Sequence, residues 1–402
     1  MTDSLDGKTV VLGVTGGIAA YKSVELLRLM RGAGARVRVV MTRSATRFVG
    51  PTTFEALSGD PVWLEMFDTG ADAAMRHIDW AQQSDAVVVA PATANILAKL
   101  AGGIADDCLS TLLLAATCPV MLCPAMNTHM FGHPAVVRNL ARLEADGHCI
   151  LPPDSGDLAC GTVGPGRLPD PAVIFDRLLA LLTPKDYRGR RVLVTAGPTR
   201  EPLDPVRFLS NPSSGRMGFA LARAAEHRGA TVTLVSGPSN LADPINVDTI
   251  RVTTAQEMAE AVWRRAAEAD IVVKAAAVSD YRPASTAPQK IKKGAADTTL
   301  VLTRTPDILL ELGRRKQGPQ VLVGFAAETE RVEAYAAAKL EEKNLDLIVA
   351  NRIGTPGAGF EAETNIVSLF YRDGRREEVG SMSKKDLAHL LLDRVADLAA
   401  GA

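Results

Sequence analysis

"KTVVLGVTGGIAAYKSVELLRLMRGAGARVRVVMT", residues 8–42, decides the fold. "TVVLGV" is a β-branched run that closes on glycines. "SVELLRLM" then spaces its apolar residues as one helix face, and Gly32 and Gly34 end it. "RVRVVM" resumes the β-branched pattern. A strand, a glycine turn, a helix and a second strand make a crossover unit of a parallel sheet, with a ligand expected at the carboxyl ends of the strands. The plan returns at residues 190–199, "RRVLVTAGPT", followed by the helical "MGFALARAAEHRG" and the strand "ATVTLVSG". The likeness is of plan, since no residue-level repeat is visible.

The chain has 402 residues, more than one core serves comfortably, so two domains are expected. "LLTPKDYRGRR" (181–191) is polar and holds Pro184 and Gly189, which puts the boundary near residue 188: domains 1–188 and 189–402. Lysine plus arginine is 45 against 46 acids, a net charge of −1, so nucleic acid or an anionic membrane is not the expected partner. "MTDSLDGK" has no apolar signal region. The apolar stretch 86–123 is interrupted by Lys99, Asp106 and Asp107 and reads as buried strands and helices. Five scattered cysteines without a C-x-x-C pair suit reduced thiols in a cytoplasm. Further strands are expected at "AVVVA", "VMLC" and "HCIL" in the first half. "IVVKAAAV", "QVLVGFA", "LDLIVAN" and "NIVSLFY" are expected in the second, which a helix closes from about Ser383 to Leu398.

The glycine turn "GVTGG" is not G-x-G-x-x-G, and no G-x-x-x-x-G-K-[ST] occurs, so neither a dinucleotide fingerprint nor a P-loop is present. In "PAMNTHMF" (124–131), His129 and His133 stand four apart like a metal pair on a helix. Gly132 and Pro134 break that helix, and no further ligands suggest themselves, so metal ligands remain unknown.

Taken in order, "GVTGGIAAYK", "MTRSA", "PATAN" and "PAMN" resemble the homo-oligomeric flavin-containing cysteine decarboxylases. The resemblance is nearest to the phosphopantothenoylcysteine decarboxylases. It implies a flavodoxin-like, Rossmann-type FMN domain whose cofactor binds where protomers meet. By the same likeness Gly17, Ile18 and Ala19 face FMN, Ser44 holds its phosphate, and Thr93, Ala94, Asn95 and Ala125 line the flavin. His77 in "RHIDWA", placed at a strand entrance, matches the catalytic base. Asn127 is to hold the substrate carboxylate, and Cys160, in the glycine-rich flap "GDLACGTVGPGR", is to return a proton. The family often has tryptophan where this chain has Phe131.

"AGPTREPLDPVRFLSNPSSGRMG" (196–218) is a proline-stiffened loop leading into a helix that Ser213 or Ser214 can cap, with amides suited to a phosphate. With "AAAVSDYRP", "KIKK", "TPDIL", "VGFAAET" and "KNLDLIVAN", it resembles the phosphopantothenate–cysteine ligases, which use CTP and Mg²⁺. That likeness implies a Rossmann-like ligase domain. In it Asn211 stabilises an acyl-cytidylate, Arg207 assists cysteine, and Ala276 floors the pocket. Asp280, Lys290, Phe325, Lys339 and Lys343 bind CTP while Pro306, Asp307, Ile308 and Leu309 close on it. "KIKK" also offers Lys292 and Lys293. Pro212 and Arg216 stand where relatives often have a polar or basic residue and lysine.

Together the halves imply two consecutive reactions on 4′-phosphopantothenate, L-cysteine and CTP, in a cytoplasmic homo-oligomer expected to be a dodecamer. An NAD-dependent oxidoreductase and a non-catalytic flavoprotein are the other classes weighed. The missing dinucleotide fingerprint counts against the first, and the presence of His77, Asn127 and Cys160 against the second.

Overall fold

The computed structural model describes residues 4–66, 76–157, 161–293, 299–328, 332–352 and 364–400. The chain forms two compact units, 3–183 and 184–402. Tyr187 falls in the second, where it is buried and donates its hydroxyl to the Leu392 carbonyl.

In the first unit the order is β1 (Thr9–Val14), α1 (Lys22–Gly32), β2 (Arg36–Met41), α2 (Pro51–Ser58), α3 (Arg76–Gln83), β3 (Ala86–Ala92), α4 (Ala94–Gly102) and α5 (Cys108–Ala115). β4 (Val120–Pro124), α6 (Thr128–Phe131), α7 (Pro134–Ala145), β5 (Cys149–Ile150), β6 (Asp154–Asp157), β7 (Val163–Arg167) and α8 (Pro171–Leu182) follow. Strands β2-β1-β3-β4-β5 pair in parallel. That is the flavodoxin-like order, whose switch point lies between β1 and β3. β3 is buried throughout, because helices cover both faces. β6 and β7 form a separate antiparallel hairpin.

The second unit runs β8 (Arg191–Ala196), β9 (Arg200–Pro202), β10 (Phe208–Ser210), α9 (Arg216–His227), β11 (Thr231–Ser236), β12 (Asp248–Arg251), α10 (Ala255–Ala266), β13 (Ile271–Lys274), β14 (Tyr281–Pro283) and β15 (Leu302–Arg304). It continues with α11 (Ile308–Arg315), β16 (Val321–Glu328), α12 (Val332–Glu342), β17 (Leu347–Arg352), β18 (Thr364–Tyr371), β19 (Arg376–Ser383) and α13 (Lys384–Ala400). Its sheet order is β12-β11-β8-β13-β16-β17-β18-β19. The first six strands take the 3-2-1-4-5-6 order of dinucleotide-binding folds, with the switch point between β8 and β13. β18, expected from "NIVSLFY", and β19, which the strand patterns did not announce, add an antiparallel edge. One face carries α9 and α13 on a core with Val194, Val323 and Leu391, and the other carries α10, α11 and α12.

Two expectations about local structure change. His77 lies in the first turn of α3, not at a strand entrance; "RHIDWAQQ" buries Ala81 as a helix, and the strand begins only at Ala86. The N-cap of α9 is Gly215, not Ser213 or Ser214. Gly215 has φ of 80°, and a Cβ there would come 3.1 Å from the Gly197 amide nitrogen, so the chain enters the helix through a left-handed, crowded position.

Candidate active sites

In both units a group of the expected residues lies at the carboxyl ends of the switch-point strands, and a threonine laces those ends. In the first unit the buried Thr15 hydroxyl donates to the Pro91 carbonyl (2.7 Å) and accepts from the Thr93 amide (3.1 Å), which ties β1 to the end of β3. Gly16 follows. A Cβ on it would lie 2.4 Å from Ser44 Cβ and 2.9 Å from the Ser44 carbonyl carbon, so this turn must be glycine to lie beside the end of β2. Gly17 then caps a short 3-10 turn, Ile18–Tyr21, and Thr93 caps α4. Gly17, Ile18, Ala19, Ser44, Thr93, Ala94 and Asn95 therefore share one edge of the sheet. Ala125 joins them through its amide, which donates to the Ala92 carbonyl at 3.1 Å.

Asn127 stands just past β4. Its Oδ1 accepts from the His129 amide at 2.9 Å and so caps α6. α6 ends at Phe131 and α7 starts at Pro134; His133 is the N-cap of α7, its Nδ1 accepting from Ala135 at 3.2 Å. The two histidines are thus on different helices. Strand β7 presses on this segment. The Met126 amide donates to the Gly166 carbonyl at 3.0 Å, and a Cβ on Gly166 would lie 2.1 Å from the Met126 oxygen. β6 and β7 are therefore a hairpin anchored beside Asn127. Cys160 lies outside the described residues. His77 is half-buried.

In the second unit the Thr195 hydroxyl accepts from the Ala276 amide (3.1 Å), and the Ala277 amide donates to the Gly197 carbonyl (2.9 Å). Asn211 Nδ2 donates to the Val278 carbonyl at 3.1 Å. Between these segments opens a cleft of about 820 Å³. Asn211, Ala276, Asp280, Pro306, Asp307, Ile308, Leu309, Phe325, Lys339 and Lys343 all line it. Arg207 and Lys290 do not. Arg207 sits in the β9–β10 turn, where its amide donates to Asp204 (2.8 Å). Lys290 is exposed beside Ile291, whose amide bonds the other oxygen of Asp204 (3.1 Å).

Charge in the cleft is arranged on two lips. On one, Asp307 caps α11 by accepting from the Leu310 amide (3.0 Å) and pairs with Lys343 at 2.7 Å. Burial works to raise the Asp307 carboxyl, but the Lys343 ammonium and the Leu310 amide hold it below its ordinary value. Lys274, the last residue of β13, is lowered to about 8 by burial and then by the nearby Lys343 charge. On the other lip stand Arg216 and Lys384. The Lys384 amine is also lowered, first by burial and then by Arg216.

Lys274, Arg304, Asn351, Asn365 and Lys384 line the cleft without having been singled out from sequence. A signal existed for one of them: "IVVK" ends an otherwise apolar strand in a cation, at the end where ligands bind.

The flavoprotein family matches residues 1–183, and the DNA/pantothenate metabolism flavoprotein C-terminal domain matches residues 187–398. A coenzyme A biosynthesis bifunctional protein CoaBC of Bacillus subtilis is 50% identical over 98% of this chain and 98% of its own length. The chain belongs to the CoaBC family of bifunctional coenzyme A biosynthesis proteins. The CoaBC protein of Escherichia coli K12 is 47% identical over 98% of this chain and 97% of its own length. Among solved structures, the C-terminal domain of a CoaBC protein is 43% identical and covers 54% of this chain and 100% of its own, with a TM-score of 0.47. Among the described residues no helix is long and apolar enough to cross a membrane, and no three His, Cys, Asp or Glu side chains are grouped to hold a metal ion.

Proposed function

We propose that this chain makes 4′-phosphopantetheine by joining L-cysteine to 4′-phosphopantothenate at the expense of CTP and then decarboxylating the product. The observation that carries the reading is convergence. Residues between Asn211 and Lys343, scattered in sequence, line one cleft, as their likeness to the phosphopantothenate–cysteine ligases requires.

A free carboxylate resists an amine, so the acid is first activated as an acyl-cytidylate with release of pyrophosphate. Lys274, Lys339 and Lys343 supply positive charge for the triphosphate, and Mg²⁺ enters with it, since this ion takes few protein ligands and leans on phosphate oxygens. Asn211, fixed by the Val278 carbonyl, steadies the acyl-cytidylate. Arg207 serves the attack of cysteine, and Lys290 the nucleotide, from the segments around Asp204. Cysteine then displaces CMP and loses an ammonium proton.

In the first unit the Gly16–Ser44 approach leaves a backbone cradle, α4 points its first amides at the same edge, and Ile18 is 65% exposed beside them. These features suit FMN, with its phosphate at Ser44 and its ring along Gly17, Ile18, Ala19, Thr93, Ala94, Asn95 and Ala125. When bound, FMN supplies the reversible oxidation of the cysteine-derived carbon and sulfur that makes loss of CO2 feasible. His77 takes the proton in the oxidative half. Asn127, with Oδ1 committed to capping α6, offers a carboxylate only its amide hydrogens and adds no fixed charge. Cys160 returns a proton at the end.

Exposed Ile18 and Tyr21 (65% and 62%) at this edge support a flavin site completed by another copy, within a dodecamer built from trimeric and dimeric contacts. Use of CTP fits a cytoplasmic enzyme. Asn211→Ala should stop ligation and spare decarboxylation of supplied phosphopantothenoylcysteine, and His77→Ala should do the reverse. Loss of both activities from either change in folded protein would refute this division.

A further inference from the structure

Arg207 and Lys290, expected to serve different substrates, both lie outside the lining of the ligase cleft, and one buried carboxylate joins their segments. The Asp204 side chain is wholly shielded from solvent. Its Oδ1 accepts from the amides of Val206 and Arg207, at 2.8 Å each. Those two bonds fold the β9–β10 turn over its own aspartate, and the Leu203 amide closes the turn by donating to the Arg207 carbonyl at 2.8 Å. A turn of this kind uses one carboxylate oxygen. The other, Oδ2, accepts from the Ile291 amide at 3.1 Å, and the Arg207 guanidinium stands 3.7 Å from it.

Ile291 is the second residue of "KIKK". Residues 284–293 form no strand or helix, and Lys290, Lys292 and Lys293 are exposed. Three described bonds run from this segment to residues 202–204, the arm of the turn that ends in Arg207. The Thr286 hydroxyl donates to the Pro202 carbonyl (3.2 Å), the Ala287 amide to the Leu203 carbonyl (2.9 Å) and the Ile291 amide to Asp204. Of the three, only the last reaches "KIKK", and only the last is accepted by a side chain. Burial works to raise the Asp204 carboxyl, but the Val206, Ile291 and Arg207 amides hold it below its ordinary value. Its charge is thus kept by both segments at once.

We propose that Asp204 is a positioning residue for both half-reactions of ligation. One oxygen sets the Arg207 turn and the other sets the Lys290 segment, so the group that serves cysteine and the group that serves the nucleotide are placed together. This rests on the ligase reading above.

The test is ligation by the full chain, read as two half-reactions: pyrophosphate released from CTP with 4′-phosphopantothenate, then CMP released on adding cysteine. Asp204→Asn has the same size and keeps Oδ1 in the turn, but it sets an N–H donor against the Ile291 amide. It should raise KM for CTP and slow CMP release, each about tenfold, the size of a lost hydrogen bond to a charged acceptor. Lys290→Gln should touch only the first quantity, and Arg207→Gln only the second. A carboxylate that merely stabilised the fold would lower the melting temperature and leave both constants alone.

Double variants show whether Asp204 acts through these two residues. Adding Asp204→Asn to Lys290→Gln should leave KM for CTP within about twofold, and adding it to Arg207→Gln should leave CMP release within about twofold. Effects that multiply would overturn the assignment, as would an Asp204→Asn protein in which one half-reaction, or neither, is changed. Ile291→Pro deletes the amide at the far end of the bridge, keeps Asp204, and covers the case in which Asp204→Asn fails to fold. It should show the same paired defect. If the wild type released no pyrophosphate from CTP with the acid, the ligase reading would fall, and this inference with it. Release by the wild type with unaltered kinetics in both bridge variants would sink this inference alone.

Discussion

Replacing Gly218 with alanine tests whether the ligase cleft depends on how closely α9 lies on β8. A Cβ at residue 218 would come 2.5 Å from Ala196 Cβ, 2.7 Å from the Thr195 carbonyl oxygen and 3.0 Å from Ala196 Cα. Carbon contacts settle at about 3.5–4.0 Å, so the helix must retreat by about 1 Å. No flexible side chain can swing aside, since the obstacles are backbone and a methyl group. Overpacking of this kind costs about 1–3 kcal/mol, and alanine returns at most about 1 kcal/mol through helix propensity. A net loss of about 1–2 kcal/mol follows, or roughly 2–8 °C in the melting temperature of a unit this size. Function should suffer more. α9 carries Arg216 and Met217 into the cleft, and a displacement of about 1 Å costs about a hundredfold in rate. Calorimetry and pyrophosphate release measure the two effects, and decarboxylation of supplied phosphopantothenoylcysteine in the same sample should be unchanged. Gly32→Ala, where a Cβ meets nothing within 4 Å, should be neutral or slightly stabilising. A Gly218→Ala protein with wild-type melting and ligation would refute the close seating of α9.

Lys274 titrates at about 8 when folded against an ordinary 10.5, so below pH 8 the folded state holds an ammonium that burial opposes. Between pH 8 and about 10.5 the unfolded chain binds more protons, and wild-type stability should rise with pH relative to Lys274→Met; parallel unfolding curves from pH 7 to 10 would contradict this. Arg228 is 1% exposed, bridges Asp186 and Asp393, and stacks 4.8 Å from the Tyr187 ring. Arg228→Ala should cost about 3 kcal/mol, the low end for breaking a buried pair because both carboxylates are partly open to water, and an unfolding midpoint in urea that does not move would refute it. Gly166→Ala, at φ of 142° and 2.1 Å from the Met126 oxygen, should push β7 off the Asn127 segment and lower decarboxylation at least tenfold while ligation persists. Equal loss of both activities would show a general folding defect instead.

The parallel cores were legible because β1, β3, β8 and β13 are short apolar runs closed by glycine or a polar residue, and helices such as α1 keep a clean 3.6-residue period. The β6–β7 hairpin was not, since "DSGD" and "VGPGR" have glycine and proline where strands usually have β-branched residues; it exists because its backbone bonds to Met126. β19, "REEVGSMS", hides for a related reason: as an edge strand it is mostly polar. Motif likeness found the Asp280–Lys343 lip, whose residues sit within distinctive strings. It passed over Asn351, Asn365 and Lys384, because an asparagine at a strand end looks like any turn residue until its unpaired oxygen is seen.

The central claim is that one chain carries out two consecutive reactions. Mass spectrometry of purified protein incubated with FMN, 4′-phosphopantothenate, cysteine, CTP and Mg²⁺ tests it most directly. The account predicts 4′-phosphopantetheine, CO2, CMP and pyrophosphate in equal amounts. CTP left intact with no new acyl product would contradict it, and phosphopantothenoylcysteine that accumulates without being decarboxylated would contradict its first-unit half.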